Sequence, residues 1–139
     1  MKKHLFNLLT VGFMLMLASA CSKSDNPAAP SIVGSWKYTS GAGTNCTDPA
    51  DNYSETCTLS AAECGILVLT TTTYTFTQTP SGGSPTVDSG TYTVSGSTLT
   101  TSGGSGPGTL TYTVTATTLT FTQTNSSNGC TETTVFTRQ

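Results

Sequence analysis

Strict two-residue alternation between aromatic or apolar side chains and threonine is the feature that most constrains this chain. In the segment 73–79, TYTFTQT, Tyr74 and Phe76 lie on one side of an extended strand and every threonine lies on the other. Shorter copies of the pattern recur at 92–94, 110–114 and 119–121. An antiparallel strand with one buried face separates residues in this way. The pattern therefore predicts half-buried antiparallel strands whose threonine rows face solvent.

The composition supports an all-β fold. The chain has 32 threonines among 139 residues, and threonine favours strands because its β-branched side chain suits an extended backbone. Segments rich in Gly, Ser, Asn and Pro separate the apolar runs and predict turns. We expect eight strands, near residues 32–39, 66–71, 73–80, 86–94, 97–102, 109–115, 118–124 and 130–137.

The segment 41–65 departs from the alternation. It contains three of the five cysteines, and its sequence at Ser60–Glu63 matches a helix capping box. We expect one turn of helix there, ended by Gly65. The segment as a whole is predicted to be a disulfide-held loop after the first strand and not a ninth strand.

The N-terminus resembles a bacterial lipoprotein signal. Two lysines precede an apolar run at 5–17, which is too short for a permanent membrane span but suits a signal peptide. The residues 17–21, Leu-Ala-Ser-Ala-Cys, resemble a lipobox. An odd cysteine count in a secreted chain leaves one thiol unpaired, and a lipid on Cys21 accounts for it. We predict a cleaved signal peptide at 1–20 and lipid attachment, including palmitate, at Cys21.

The mature protein is predicted to have two parts. Residues 21–30 form a disordered tether and residues 31–139 form the folded domain. No Asp follows Cys21, so the inner-membrane retention signal of enteric bacteria is missing. We therefore expect an outer-membrane lipid anchor, on the periplasmic face or at the cell surface, and a monomeric protein.

Several classes of function are disfavoured. The single His, His4, lies in the signal peptide, so the mature chain has no His-dependent nucleophile or metal site. After cleavage the chain contains three basic and seven acidic residues, and this negative net charge disfavours nucleic acid as a partner. We predict no catalytic residue, no metal and no cofactor, and therefore no enzymatic activity.

The four remaining cysteines are predicted to form two disulfides, because the envelope is oxidising and their spacing contains no C-x2-C metal motif. They are Cys46, Cys57, Cys64 and Cys130. Three pairings are possible. We favour Cys46–Cys57 with Cys64–Cys130.

The order of several short motifs resembles a known family. They are Gly34-Ser35-Trp36, the segment 90–94 (GTYTV), Thr-Leu-Thr at 98–100 and 118–120, and the segment 135–138 (VFTR). With the lipobox, they resemble the small lipocalin-like lipoproteins of Bacteroidota. The resemblance implies an eight-stranded antiparallel up-and-down barrel; a β-sandwich is the alternative. It also implies that Trp36 plugs one end, with Gly34 leaving room for the ring and Arg138 stacking over it.

The inward-facing aromatic residues are the candidate ligand site. They are Tyr38, Tyr74, Phe76, Tyr92, Tyr112 and Phe121. Such residues either fill an eight-stranded barrel or line an apolar cavity with tyrosine hydroxyls as polar groups. We expect a non-catalytic, lipid-anchored envelope lipoprotein that binds a small apolar ligand. The alternative is a structural or interaction module whose loops contact another envelope protein or a glycan.

Overall fold

The computed structural model describes residues 29–104 and 106–139, most of which lie in strands. The strands are β1 (Gly34–Thr44), β2 (Tyr53–Thr56), β3 (Ile66–Leu69), β4 (Thr73–Gln78), β5 (Thr86–Ser95), β6 (Thr98–Gly103), β7 (Gly108–Val114), β8 (Thr118–Thr124) and β9 (Thr131–Arg138). A one-turn helix, α1 (Ala61–Cys64), and a 3-10 turn (Pro49–Asp51) lie between β1 and β3. The predicted signal peptide, Cys21 and the tether up to residue 28 lie outside the described residues. No helix in the described part is long and apolar enough to cross a membrane.

Eight of these strands close into a barrel. From β3 to β9 each strand pairs antiparallel with the next one along the chain, β1 pairs with β3, and β9 returns to pair with β1. The sheet is therefore continuous around the barrel, with the up-and-down order that short turns between neighbouring strands produce. The predicted eight-stranded antiparallel barrel is confirmed, and the β-sandwich alternative is wrong because one closed sheet replaces two packed ones.

Strand β1 is longer than predicted, and its second half pairs with a strand that was not predicted, β2. Its first half, Gly34–Lys37, pairs with β3, whereas Ser40–Gly43 pairs with β2 on the same side. The expectation that 41–65 holds no strand is therefore wrong. The alternation is invisible there because the inward positions are Gly41 and Gly43, and a side chain on Gly43 would overlap the ring of Tyr53.

Two disulfides form, as predicted, but the favoured pairing is wrong. Cys46 is bonded to Cys130 and Cys57 to Cys64. Barrel closure explains the first bond: Thr44 pairs with Thr131 across β1 and β9, which leaves the Cα atoms of Cys46 and Cys130 3.9 Å apart. The second bond spans only the turn and helix that join β2 to β3.

The predicted helical turn is confirmed with its cap. The Ser60 hydroxyl accepts a hydrogen bond from the Glu63 amide, and the Glu63 carboxylate accepts one from the Ser60 amide. Gly65, with φ of +107°, ends the turn, and a Cβ there would overlap the ring of Phe76. Helix α1 is thus laid closely against β4.

Candidate ligand-binding cavity

One end of the barrel, here called the closed end, is sealed around Trp36. The ring is fully buried, and its Nε1 donates a hydrogen bond of 2.8 Å to the carbonyl of Ile32. Trp36 is the register partner of Arg138 on β9, and the Arg138 guanidinium carbon lies 4.1 Å from the centroid of the Trp36 ring. This is the geometry of a cation–π contact.

Arg138 also ties three chain segments together at the closed end. Its Nη1 and Nη2 donate to the carbonyls of Val33 (3.2 Å) and Ser31 (2.5 Å), and its Nε donates to that of Ala116 (3.0 Å). Gly34, with φ of +145°, makes this possible, because a Cβ there would lie 2.6 Å from Arg138 Nη1. Gly34 therefore leaves room mainly for the guanidinium, and not for the indole ring as expected.

The barrel interior contains a cavity of about 440 Å³. Most of its wall is leucine and aromatic side chains, with a few polar groups and the segment 106–108. The lining residues are Leu67, Leu69, Tyr74, Phe76, Asp88, Tyr92, Leu99, Thr101, Gly106, Pro107, Gly108, Leu110, Phe121, Gln123 and Phe136. The cavity can therefore enclose an apolar body and offer hydrogen-bond partners at only a few points.

Phe136 organises the aromatic part of the wall. The rings of Tyr38, Phe76 and Phe121 meet it in edge contacts, with centroid distances of 5.9, 6.4 and 5.8 Å. Phe136 is only 6% exposed. Edge-to-face packing of this kind holds rings in defined orientations, so the apolar wall is preformed.

Two of the polar groups in the cavity lie together. The Tyr74 hydroxyl donates to the carbonyl of Gly103 (3.4 Å), and a Cβ on Gly104 would overlap Asp88 Oδ1 and lie 2.5 Å from the Tyr74 hydroxyl. Burial and the charge of Asp88 raise the pKa of Tyr74. At ordinary pH Tyr74 is therefore a neutral hydroxyl beside a carboxylate.

Two other polar side chains of the cavity wall, Tyr92 and Gln123, are bonded at opposite ends of the barrel. Tyr92 donates to the carbonyl of Thr70 (2.5 Å) near the closed end, and burial raises its pKa. Gln123 and Asn125 donate to the two carboxylate oxygens of Glu132 (2.9 and 2.8 Å). These two bonds lower the pKa of Glu132. Glu132 is therefore an anion held in place by amides.

Comparison with known proteins agrees with this geometry. A family model described as a lipocalin-like domain matches residues 32–121, more than half of the chain. The chain belongs to the lipocalin-like domain family. The resemblance drawn from the sequence motifs is thereby confirmed, and barrels of this kind are typically binding folds and not enzymes.

A solved structure shares the lipocalin-like fold. It is that of a lipocalin-like protein from Bacteroides uniformis ATCC 8492, with 13% sequence identity and a TM-score of 0.59, covering 78% of this chain and 98% of that one. At this identity the likeness shows the fold alone. No curated protein matches the chain.

The lipocalin-like barrel brings together four of the six aromatic residues predicted to form a ligand site. Tyr74, Phe76, Tyr92 and Phe121 line the cavity. Tyr38 instead lines a smaller pocket of about 240 Å³ between β1, β2 and β4, where its hydroxyl donates to Glu55. Burial and that hydrogen bond raise the pKa of Tyr38.

Tyr112 is the other residue that the expectation misplaced. Its hydroxyl donates to the carbonyl of Gly96 (3.2 Å), and its ring borders a groove beside residues 30–33 at the closed end. The rings of Tyr38 and Tyr112 face inward as alternation requires, but each lies beyond the cavity because its hydroxyl is bonded at one end of the barrel.

Some lining residues were missed by the sequence prediction. Asp88 and Gly90 precede Tyr92 on the same face of β5, at intervals of two residues. Extending the alternation backwards from Tyr92 therefore places Asp88 inside the barrel. Gln123 follows Phe121 in the same phase. Among residues 29–104 and 106–139 no group of three or more His, Cys, Asp or Glu side chains is placed to hold a metal ion.

Proposed function

We propose that this protein is a non-catalytic lipoprotein of the bacterial outer membrane whose lipocalin-like barrel binds a small, largely apolar ligand. The observation that carries the proposal is the cavity of about 440 Å³ with its leucine and aromatic wall. Ligand sites typically measure roughly 300–1,000 Å³ and combine apolar walls with a few polar groups. The cavity fits this description in both size and lining.

The alternative of an interaction module with a filled interior is less well supported. An eight-stranded barrel is narrow enough for side chains to fill it, or to hold one small ligand. In this barrel Trp36 and its neighbours occupy the closed end, whereas the interior beyond them holds the cavity. The open volume favours ligand binding.

A filling variant tests whether a ligand enters the cavity. Leu110 lines it, whereas Thr109, its neighbour on β7, is exposed on the outer face. The neutral fluorescent probe N-phenylnaphthylamine should bind the wild type with enhanced emission. Leu110→Trp should weaken binding by about tenfold or more, that is by about 1.4 kcal/mol of binding free energy, because the indole ring occupies space that the ligand would fill.

The matched control is Thr109→Trp, which adds a similar ring outside the barrel and should leave the affinity unchanged. Circular dichroism checks that both variants keep the fold. Undiminished binding by a folded Leu110→Trp protein would show that the probe does not bind in the cavity.

We also propose that Cys21 carries the lipid. The two disulfides use Cys46, Cys57, Cys64 and Cys130, so Cys21 is the cysteine left over. The chain enters the barrel at the closed end, where Arg138 holds Ser31. A lipid on Cys21 would therefore be connected to the closed end of the barrel, which is the end opposite to the one where β9 begins.

Metabolic labelling tests the anchor. A clickable palmitate analogue should label the wild type and fractionate with the outer membrane, whereas Cys21→Ser should lose the label. Cys57→Ser is the control, since it removes a cysteine that the structure places in a disulfide, and it should keep the label. Persistent labelling of Cys21→Ser would refute lipidation at this residue.

A further inference from the structure

The charged groups that face the barrel interior are unevenly distributed. Residues paired across antiparallel strands lie on the same face of a sheet. Asp88, paired with Phe76, Glu132, in phase with Phe136 on β9, and Glu55, paired with Gly41, therefore face inward. Asp88 and Glu132 lie in the halves of their strands that are remote from Trp36, and Glu55 pairs with the half of β1 that is remote from it. We call this end of the barrel the mouth.

The basic groups lie elsewhere. Of the two basic residues in the described part of the chain, Lys37 donates from Nζ to the carbonyl of Leu59 (2.9 Å), and Arg138 is held over Trp36. Neither lines the cavity. Arg138 and Glu132 are six residues apart on β9, which corresponds to ~20 Å along a strand.

Asp88 is the acidic group within the cavity wall. Its carboxylate lies at Gly104 beside the Tyr74 hydroxyl, with the apolar wall formed by Leu67, Leu99 and Phe136 in the same cavity. Glu132 does not line the cavity, and its two oxygens accept hydrogen bonds from Gln123 and Asn125. An anionic ligand entering the mouth would be repelled by these carboxylates, whereas a cation would be attracted by them.

We propose that the cavity selects ligands that combine an apolar body with a cationic amine, and that Asp88 is the residue that determines this preference. The inference rests on the proposed function and adds the charge of the ligand to it. The apolar body lies against the leucine and aromatic wall, and the ammonium group pairs with the Asp88 carboxylate beside Tyr74. An ion pair at the edge of an apolar cavity is less screened than one in open water.

Three probes with the same apolar body test the charge preference. Naphthylethylamine is a cation, naphthylethanol is neutral and naphthylacetate is an anion. Titration calorimetry on the folded domain should give an affinity for the amine about tenfold higher than for the alcohol, with the acetate weakest. Added salt should reduce the preference for the amine and leave the binding of the alcohol unchanged.

Substitutions then test whether Asp88 determines the preference for the amine. Asp88→Asn, which keeps the shape of the side chain, should bring the affinity for the amine down to that for the alcohol without changing the latter. Asp51→Asn is the matched control: it removes the same charge from an exposed turn outside the cavity and should keep the preference. A preference lost in Glu132→Gln but retained in Asp88→Asn would overturn the assignment of Asp88.

The outcomes separate this inference from the function on which it rests. Equal affinities of the wild type for the amine and the alcohol would overturn the charge preference and leave apolar binding intact. Failure of all three probes, and of N-phenylnaphthylamine, to bind would instead contradict the proposed function.

Discussion

Trp36→Ala should lower the free energy of unfolding by about 3–5 kcal/mol, as for other buried aromatic truncations. The ring is fully buried, bonds the carbonyl of Ile32 and supports the guanidinium of Arg138, so its loss opens the closed end of the barrel. This is a large share of the roughly 5–15 kcal/mol available to a small domain. Urea unfolding followed by circular dichroism measures it, because Trp36 is the only tryptophan.

Two variants calibrate the Trp36 result. Arg138→Ala should cost about 1–2 kcal/mol, because it loses the cation–π contact while water can reach the carbonyls that the guanidinium bonded. Val87→Ala, at a side chain that is 62% exposed, should change stability by less than about 0.5 kcal/mol. A Trp36→Ala protein as stable as the Val87→Ala protein would show that the ring does not seal the barrel.

Removing the disulfide between Cys46 and Cys130 should cost more than removing the one between Cys57 and Cys64. The two bonds span 84 and 7 residues, and the chain-entropy model gives about 4–5 and about 2–3 kcal/mol for loops of these lengths. Each pair is replaced by serine, and unfolding is compared under the same non-reducing conditions. Equal losses, or a larger loss for the short loop, would contradict the closure of the barrel by the first bond.

Local alternation predicted most of the fold. Tyr74 and Phe76 on β4, and Leu119 and Phe121 on β8, alternate with threonine, so the sequence alone predicts that one face of each strand is buried. The second half of β1 was not visible. The backbone shifts register between Tyr38 and Ser40, and the inward positions beyond it are glycines, so no apolar residue marks the strand.

The disulfide pairing could not be predicted because it depends on closure. Cys46 and Cys130 are far apart in sequence and become neighbours only when β1 pairs with β9. The favoured pairing of Cys46 with Cys57 is wrong because the chain turns back along β1 as β2. This places Cys57 beside Thr39, whose carbonyl accepts a hydrogen bond from the Cys57 amide, and away from Cys46 at the far end of β1.

The cavity was only partly predictable. Alternation identifies inward residues such as Phe76, but whether they fill the barrel depends on how far each side chain reaches, which alternation does not reveal. Tyr38 and Tyr112 reach towards the ends of the barrel, and their hydroxyls bond Glu55 and Gly96 there. Asp88 was missed because Gly90 separates it from Tyr92, so that stretch of β5 lacks an apolar signal.

Methyl NMR of the domain with saturating N-phenylnaphthylamine tests the central claim most directly. Ligand binding in the barrel predicts ring-current shifts at the methyl groups of Leu67, Leu99 and Leu110, which line the cavity. The chemical shifts of the methyl groups of Val68 and Val87, which are 42% and 62% exposed, should not change. Shifts confined to the exposed valines, or no shifts at any leucine of the cavity, would contradict the account of this barrel as a ligand-binding protein.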